Sequence, residues 1–222
     1  MATTAEQAAR DQSPMEERAN AIAHGIGLLL SLVCLAFGIL YALSRHNPWM
    51  ITSVAIHGTS LCLLFLSSTC YHSAHSLRAR HIWNVLDHSF IYLLIAGTST
   101  PYTLGPLRNY STAWGFGMFG VIWGLSVAGI VFQSLYIHRW RNYSTVAYVL
   151  LGWVILVAIR PLWIAIGIRG LSWIASGCLC YMLGVLFYTR KHISYMHFVW
   201  HLFVLAGSMI HFLGVMFTIV LP

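Results

Sequence analysis

The sequence predicts an all-α membrane protein, a bundle of seven transmembrane helices. Of its 222 residues, 59% are hydrophobic and only 8% are charged, which is too apolar for a soluble domain of this length. The charged residues divide the chain into seven long uncharged stretches, each near the roughly 20 residues that a helix needs to cross the hydrocarbon core. None alternates apolar and polar residues as a transmembrane β-strand does, so helices are expected.

The predicted spans follow these stretches in order along the chain. They lie at about 21–43, 49–72, 84–104, 112–134, 144–160, 170–188 and 195–220. Together they form one transmembrane domain, 19–222, behind a short polar tail of residues 1–18. The tail lacks an apolar segment, so it does not resemble a cleaved signal peptide.

Local signals mark the ends of several spans. Asn47 and Pro48 indicate a short turn after span one, Pro101 relaxes the end of span three, and Pro161 follows the end of span five. Spans four and six are rich in glycine, serine and aromatic residues, which favours close helix packing. The five cysteines are scattered without a CxxC pair, so neither a disulfide framework nor a cysteine metal site is expected.

The net charge of +7 is spread over span ends in ones and twos, which is typical of topology signals and not of a nucleic-acid surface. Alternating spans place eight basic residues on one side, namely Arg10, Arg18, Arg78, Arg80, Arg139, Arg141, Arg190 and Lys191. The other side holds four, namely Arg45, Arg108, Arg160 and Arg169. The positive-inside rule then predicts a cytoplasmic N-terminus and an outside C-terminus.

The last span begins with two histidines that suit a metal ion. His197 and His201 are four residues apart, so both imidazoles lie on one helix face and can reach one point. The pair is not an HExxH motif, because Phe198, Val199 and Trp200 separate the histidines. The alternative is that both line a helix–helix contact and hydrogen-bond to neighbouring groups.

Other polar residues fall at the same predicted depth. Ser68 and His72 are one turn apart at the inner end of span two, and Asp87 lies just inside span three. A carboxylate at full depth costs about 2.5 to 3.5 kcal/mol, so an acid inside a span usually has a partner or a task. The alternative for Asp87 is an ion pair with Arg80 or exposure to water.

Span one adds a third polar face at this end. Glu17, Asn20 and His24 share one helix face, and the alternative to a role in the site is a solvated helix start with Asn20 and His24 facing the bundle. Three neutral imidazoles around Zn²⁺ would leave a fourth position for water, as in catalytic sites. Asp87 could accept a proton from that water, and Ser68 could hydrogen-bond to it or to a substrate oxygen. The pattern predicts hydrolysis of an acyl or amide bond in a lipid-like substrate that enters from the membrane.

Four groups of residues together carry a resemblance over all seven spans. They are Glu17-x2-Asn20-x3-His24-Gly25, Ser68-x3-His72, Asp87-x4-Tyr92 leading into Ala96-Gly97-Thr98, and His197-x3-His201 followed by His211-Phe212. On these residues the chain resembles the hemolysin III family, the bacterial branch of the progestin and adipoQ receptor superfamily. The resemblance implies zinc ligation by His72, His197 and His201, with Asp87 and Ser68 beside the bound water. It also implies kinship with membrane ceramide hydrolases, a cytolysin label and a place in the bacterial inner membrane.

Alternatives remain for both site and function. His75 or His88 could replace a ligand, whereas His211 lies four turns from His197 and is expected to pack in the core. A non-enzymatic protein for signalling, membrane homeostasis or cytolysis could use zinc only to clamp its helices. A channel or transporter would need polar residues along the whole crossing path, and the outer half of the chain offers few.

Overall fold

The computed structural model describes residues 12–136, 141–190 and 192–221, and these ranges are helical almost throughout. Seven helices follow one another: α1 (Pro14–Ser44), α2 (Pro48–Ser73), α3 (Leu77–Tyr102), α4 (Thr112–Tyr136), α5 (Arg141–Trp153), α6 (Ile159–Tyr188) and α7 (Met196–Val215). Short helical segments extend or join them, at Thr103–Leu107, Arg108–Tyr110, Val154–Ala158 and Met216–Val220. The predicted all-α class is therefore confirmed within the described ranges.

Helices α1 and α3 begin seven residues before their predicted spans because side chains cap them. Ser13 and Glu16 form a reciprocal capping box, so α1 starts at Pro14 and includes part of the predicted tail. Ser76 accepts a hydrogen bond from the backbone N–H of Ala79 and starts α3 seven residues before the predicted position 84. The run of apolar residues indicates which part of a helix lies in the membrane, whereas the capping residues determine where the helix begins.

In the part of the chain that the structure describes, five helical stretches are long and apolar enough to cross a membrane, so the chain is a multi-pass membrane protein. They are Pro14–Ser44, Pro48–Ser73, Thr112–Leu135, Ser144–Tyr188 and Met196–Val220. Helix α3, which contains the predicted third span, is more polar and does not belong to this set. Predicted spans five and six both fall within Ser144–Tyr188, so the count of seven crossings stays a prediction.

The structure places the break between predicted spans five and six at a different residue from the one that the sequence predicts. Pro161 does not end a helix but lies in the first turn of α6, where proline is tolerated. The interruption falls at Gly167, whose backbone has φ 62° and ψ −172°, a conformation that residues with a side chain rarely adopt.

Helix packing brings the first, second and last helices together. Helix α1 packs against α2 and α7, α2 packs against α3, and α6 packs against α7. The approach of α1 to α2 is close, because a Cβ atom placed on Gly27 would lie 2.7 Å from the ring of Phe65. An apolar cluster of Leu61, Leu64, Phe65, Leu94 and Val204 fills the space among α2, α3 and α7.

We call the end of the bundle that holds Glu17, His72 and His197 the histidine end. It contains the start of α1, the end of α2 and the start of α7. Whether this end faces the cytoplasm stays a prediction. Among the basic residues on which that prediction depends, Arg10, Arg139 and Lys191 lie outside the described residues, as does the side chain of Arg141.

Candidate metal centre

Three predicted histidines meet at the histidine end. One ring nitrogen from each of His72, His197 and His201 lies within 4.8 Å of the others. The ring centroids are 4.5 to 5.4 Å apart. Helix α2 supplies the first imidazole from its last turn, and α7 supplies the other two from successive turns at its start. Within the described ranges, this is the group of His, Cys, Asp or Glu side chains that could hold a metal ion.

One pair of ring nitrogens within the three-histidine group fits a tetrahedral zinc ion. Nε2 of His72 and Nε2 of His201 are 3.1 Å apart, and both residues are buried. Zinc binds imidazole nitrogen at about 2.0 to 2.1 Å, so two ligands of one tetrahedral ion lie about 3.3 Å apart. Only a small movement would separate these two nitrogens to that distance.

Glu17 holds the His72 ring in one orientation. Nδ1 of His72 donates to Oε2 of Glu17 over 2.6 Å, and the other carboxylate oxygen pairs with Arg80. The Arg80 guanidinium favours the ionised carboxylate, which can only accept a hydrogen bond. Nδ1 of His72 therefore carries a proton, and in the neutral ring the lone pair of Nε2 points into the site.

His24 orients the ring of His201 in a comparable way. Its Nε2 lies 2.6 Å from Nδ1 of His201, and the two rings are nearly perpendicular. If His201 donates to His24, the Nε2 lone pairs of His201 and His72 face each other and require a cation between them. If His24 donates instead, a proton on Nε2 of His201 fills the same gap. The gap between the two buried imidazoles is thus filled either by a cation, such as a metal ion, or by an ordinary N–H···N hydrogen bond between neutral rings.

Glu17 and His24 were not assigned to the site from the sequence. Asn20 and His24 are buried, as a solvated helix start with these two residues facing the bundle would also give, but Glu17 is buried as well and is not solvated. The sequence feature that could have identified them is their position on one helix face, since residues 17 and 24 are two turns apart.

Asp87 and Ser68 lie beside the histidines. Ser68 is fully buried on α2, one turn before His72. The Asp87 side chain is 14% exposed, and its Oδ2 lies 4.0 Å from Nδ1 of His88. Oγ of Ser68 has no hydrogen-bond partner among the described residues. The expected alternative, an ion pair between Asp87 and Arg80, is not formed, because Arg80 pairs with Glu17.

The other candidate histidines lie outside the three-histidine group. His75 is exposed beyond the end of α2. Nδ1 of His88 lies 2.9 Å from the backbone oxygen of Asn84. His211 is buried, and its ring stacks on Tyr181 at 5.4 Å, in keeping with the expected core position.

A cavity of about 460 Å³ opens beside the three-histidine group. Its wall includes His72, His197, His201 and Asp87, and it continues between α3, α5, α6 and α7 as far as Tyr102 and His211. Most of the remaining wall is apolar, with Leu94, Ile95, Val149, Ile174 and Val204 among its residues. Small-molecule sites in proteins enclose about 300 to 1,000 Å³, so the cavity can hold a substrate of that size.

Known proteins similar to this chain include bacterial and animal sequences. A family model described as "Haemolysin-III related" matches residues 12–212. The "Hemolysin-3 homolog" of Bacillus subtilis (strain 168) is 42% identical over 202 residues, 91% of this chain and 93% of that protein. "Hemolysin-3" of Bacillus cereus is 39% identical over 204 residues, 92% of each chain. The human "Monocyte to macrophage differentiation factor" is 27% identical over 210 residues, 90% of this chain and 83% of that protein.

Proposed function

The chain belongs to the haemolysin-III related family, and from that premise we propose that it is a zinc-dependent membrane hydrolase that cleaves an amide or ester bond of a lipid. One observation carries the proposal above all others. Three imidazole nitrogens within 4.8 Å of one another open onto a largely apolar cavity whose wall also includes Asp87. This combination suits hydrolysis of a polar bond in a substrate that is otherwise apolar.

The proposed enzyme crosses the membrane seven times, with its N-terminus in the cytoplasm and its C-terminus outside. Ser144–Tyr188 has 45 residues and, at about 1.5 Å per residue, far exceeds the roughly 30 Å hydrocarbon core. Its interruption at Gly167 allows two crossings. Helix α3 packs between α2 and α4, which favours a crossing beside them. The sequence-based count of basic residues, eight on the side of the N-terminal tail against four on the other, supports a cytoplasmic site in a bacterial plasma membrane.

The protein's own groups have distinct tasks in this proposal. A zinc ion on His72, His197 and His201 would supply an activated water molecule at neutral pH. Glu17 and His24 keep two of the ligand rings in place through their second nitrogens. Asp87 accepts a proton from the attacking water, and Ser68, whose Oγ has no described partner, hydrogen-bonds to that water or to a substrate oxygen.

The cavity favours a membrane lipid as the substrate. Its charged residues, Arg80 and Asp87, lie near the three-histidine group, and most of the cavity surface is apolar. An acyl chain can lie against that apolar wall while the amide or ester group reaches the histidines.

A second function is favoured by the links between helices. Glu17 and His24 on α1 join His72 on α2 and His201 on α7, so a zinc ion here could serve only to clamp three helices. The protein would then act without catalysis, in signalling, membrane homeostasis or cytolysis. Two Bacillus relatives carry the name hemolysin, so cytolysis is the non-enzymatic function to test first.

Metal analysis of the purified protein, combined with lipid hydrolysis assays, separates these functions. The wild type should contain about one zinc per chain, and His197→Ala should lose it. The control His75→Gln removes an exposed histidine near His72 and should keep it. Equal zinc contents in the wild type and His197→Ala would contradict the metal site.

Asp87→Asn then tests catalysis independently of metal content. A hydrolase should retain zinc in this variant and lose turnover of ceramide-like amides or lipid esters by about 100-fold or more, because the proton acceptor is gone. Unchanged turnover with full zinc content would contradict the role of Asp87. Wild-type protein that is loaded with zinc but inactive on all these lipids would favour the clamp.

A further inference from the structure

A second cavity, of about 520 Å³, lies at the end of the bundle opposite the histidines. It is enclosed by the start of α2, the segment after α3, the part of α6 before Gly167 and the segment after α7. Trp49 on its wall is 23 residues before His72 on the same helix, which corresponds to about 35 Å. The cavity is therefore separate from the proposed metal centre.

A single cation faces this second cavity in a fixed position. Nε of Arg108 donates to the backbone oxygen of Leu104 at 2.8 Å, and its Nη2 donates to Oδ1 of Asn109 at 3.0 Å. The guanidinium carbon lies 4.3 Å from the ring centre of Trp49. Three contacts thus hold the group, while the described hydrogen bonds of Arg108 leave its Nη1 donors for a ligand.

No acidic side chain among the described residues balances Arg108 at this end. Among the described residues that line the second cavity, Arg108 is the sole charged one. The chain has five acidic residues, and all lie in the first 17 positions except Asp87, which lines the other cavity. A fixed guanidinium without a side-chain carboxylate attracts an anion from outside the chain.

Ser53 offers a second donor on the same wall. Its side chain is buried at 2% exposure, and its Oγ has no hydrogen-bond partner among the described residues. A buried hydroxyl without a partner is destabilising unless a ligand or water satisfies it. An anionic oxygen between Ser53 and Arg108 would meet this need and also neutralise the guanidinium.

The surroundings of the second cavity match the lipid headgroup level. Trp49 and Tyr110 on its rim are exposed by 39% and 46%, and such aromatic residues are enriched where a membrane meets water. Met50, Ile166 and Ile219 add apolar surface beside the polar donors. We propose that this cavity binds the phosphate group of an anionic lipid, with Arg108 and Ser53 as donors and the apolar wall against the lipid chains. The site is independent of the proposed hydrolase activity.

Lipid binding to the purified full-length protein in neutral detergent tests this site. Native mass spectrometry would compare phosphatidylglycerol with phosphatidylcholine of the same acyl chains. Phosphatidylglycerol should bind the wild type at least about tenfold more tightly, and Arg108→Gln should remove that difference, as expected for one lost charge-assisted contact. The matched control Arg45→Gln removes a positive charge at the same end, from a side chain that contacts Tyr41 and does not line the cavity. It should bind like the wild type.

Ser53→Ala provides a test that does not depend on the Arg108 variant folding. Without added lipid, the variant should unfold at a higher temperature than the wild type, because an unsatisfied hydroxyl is removed. With phosphatidylglycerol, it should gain less thermal stability than the wild type. A merely structural hydroxyl would shift the unfolding temperature equally with and without lipid, and that result would overturn the role of Ser53.

Three results would overturn the proposed lipid site. If Arg108→Gln and Arg45→Gln lost phosphatidylglycerol binding equally, general surface charge and not a specific site would attract the lipid. Equal binding of the two lipids to the wild type would exclude recognition of the anionic headgroup. Displacement of phosphatidylglycerol by inorganic phosphate, or stabilisation by phosphate alone to the same extent, would assign the cavity to free phosphate and not to a lipid.

Discussion

Nδ1 of His72 donates a hydrogen bond to Oε2 of Glu17 at 2.6 Å, and this contact links the end of α2 to the start of α1. The Glu17 carboxylate sets the direction in which the His72 lone pair points. A residue that would not itself touch the metal thus decides whether one of the three imidazoles is ready to bind it.

Glu17→Gln should weaken zinc binding by about tenfold or more while retaining the side-chain volume, because a neutral amide holds the His72 ring less firmly. Competition with a fluorescent zinc chelator in detergent would measure the affinity. Glu16→Gln is the neighbouring control, since Glu16 accepts from the backbone N–H of Tyr195 and makes no described contact with the three histidines. An affinity of Glu17→Gln equal to that of the control would argue against an orienting role.

Removing His24 should have an intermediate effect on metal binding. His24→Ala leaves Nδ1 of His201 without its described partner, so zinc affinity should fall by about tenfold to 100-fold, with one zinc still bound at saturation. Titration with zinc to saturation distinguishes a residue that only orients a ligand from a residue that binds the metal itself. Complete loss of stoichiometric zinc, as expected for His201→Ala, would instead make His24 a direct ligand.

Metal removal should destabilise the bundle at the histidine end. A ligand that binds only the folded state adds stability by mass action, about 2.7 kcal/mol at a concentration 100 times its Kd. Treatment with a chelator should therefore lower the unfolding temperature of the wild type, and added zinc should restore it. His75→Gln should respond in the same way, whereas His197→Ala should already unfold at the lower temperature. A chelator effect of equal size in His197→Ala would place the stabilising metal elsewhere.

The sequence predicted the convergence of His72, His197 and His201 because helical spacing and span ends are local properties. It did not assign Glu17 and His24, since the same spacing also describes a solvated helix start. Their burial depends on how closely α1 approaches α2, which is a property of packing between distant segments. The break at Gly167 and the burial of Ser53 depend on tertiary structure in the same way, whereas the residues that begin α1 and α3 carried cap signals that hydropathy does not detect.

Gly27 provides a test of whether this helix contact supports the metal centre. A Cβ atom at position 27 would meet three ring carbons of Phe65 at 2.7 to 3.0 Å, so Gly27→Ala should push α1 away from α2. We expect a loss of about 1 to 3 kcal/mol in stability, as for other overpacked cores, together with weaker zinc binding because Glu17 and His24 move with α1. Thermal unfolding and the zinc competition assay would measure both effects.

Gly25→Ala is the matched control for Gly27→Ala. A Cβ atom at position 25 would lie 3.9 Å from Cγ2 of Thr69, an ordinary contact, and alanine favours the helix over glycine by about 1 kcal/mol. This variant should be as stable as the wild type or slightly more so, with unchanged zinc affinity. If Gly27→Ala lost stability but bound zinc like Gly25→Ala, the position of α1 would not control the metal centre, and the support attributed to Glu17 and His24 would have to be abandoned.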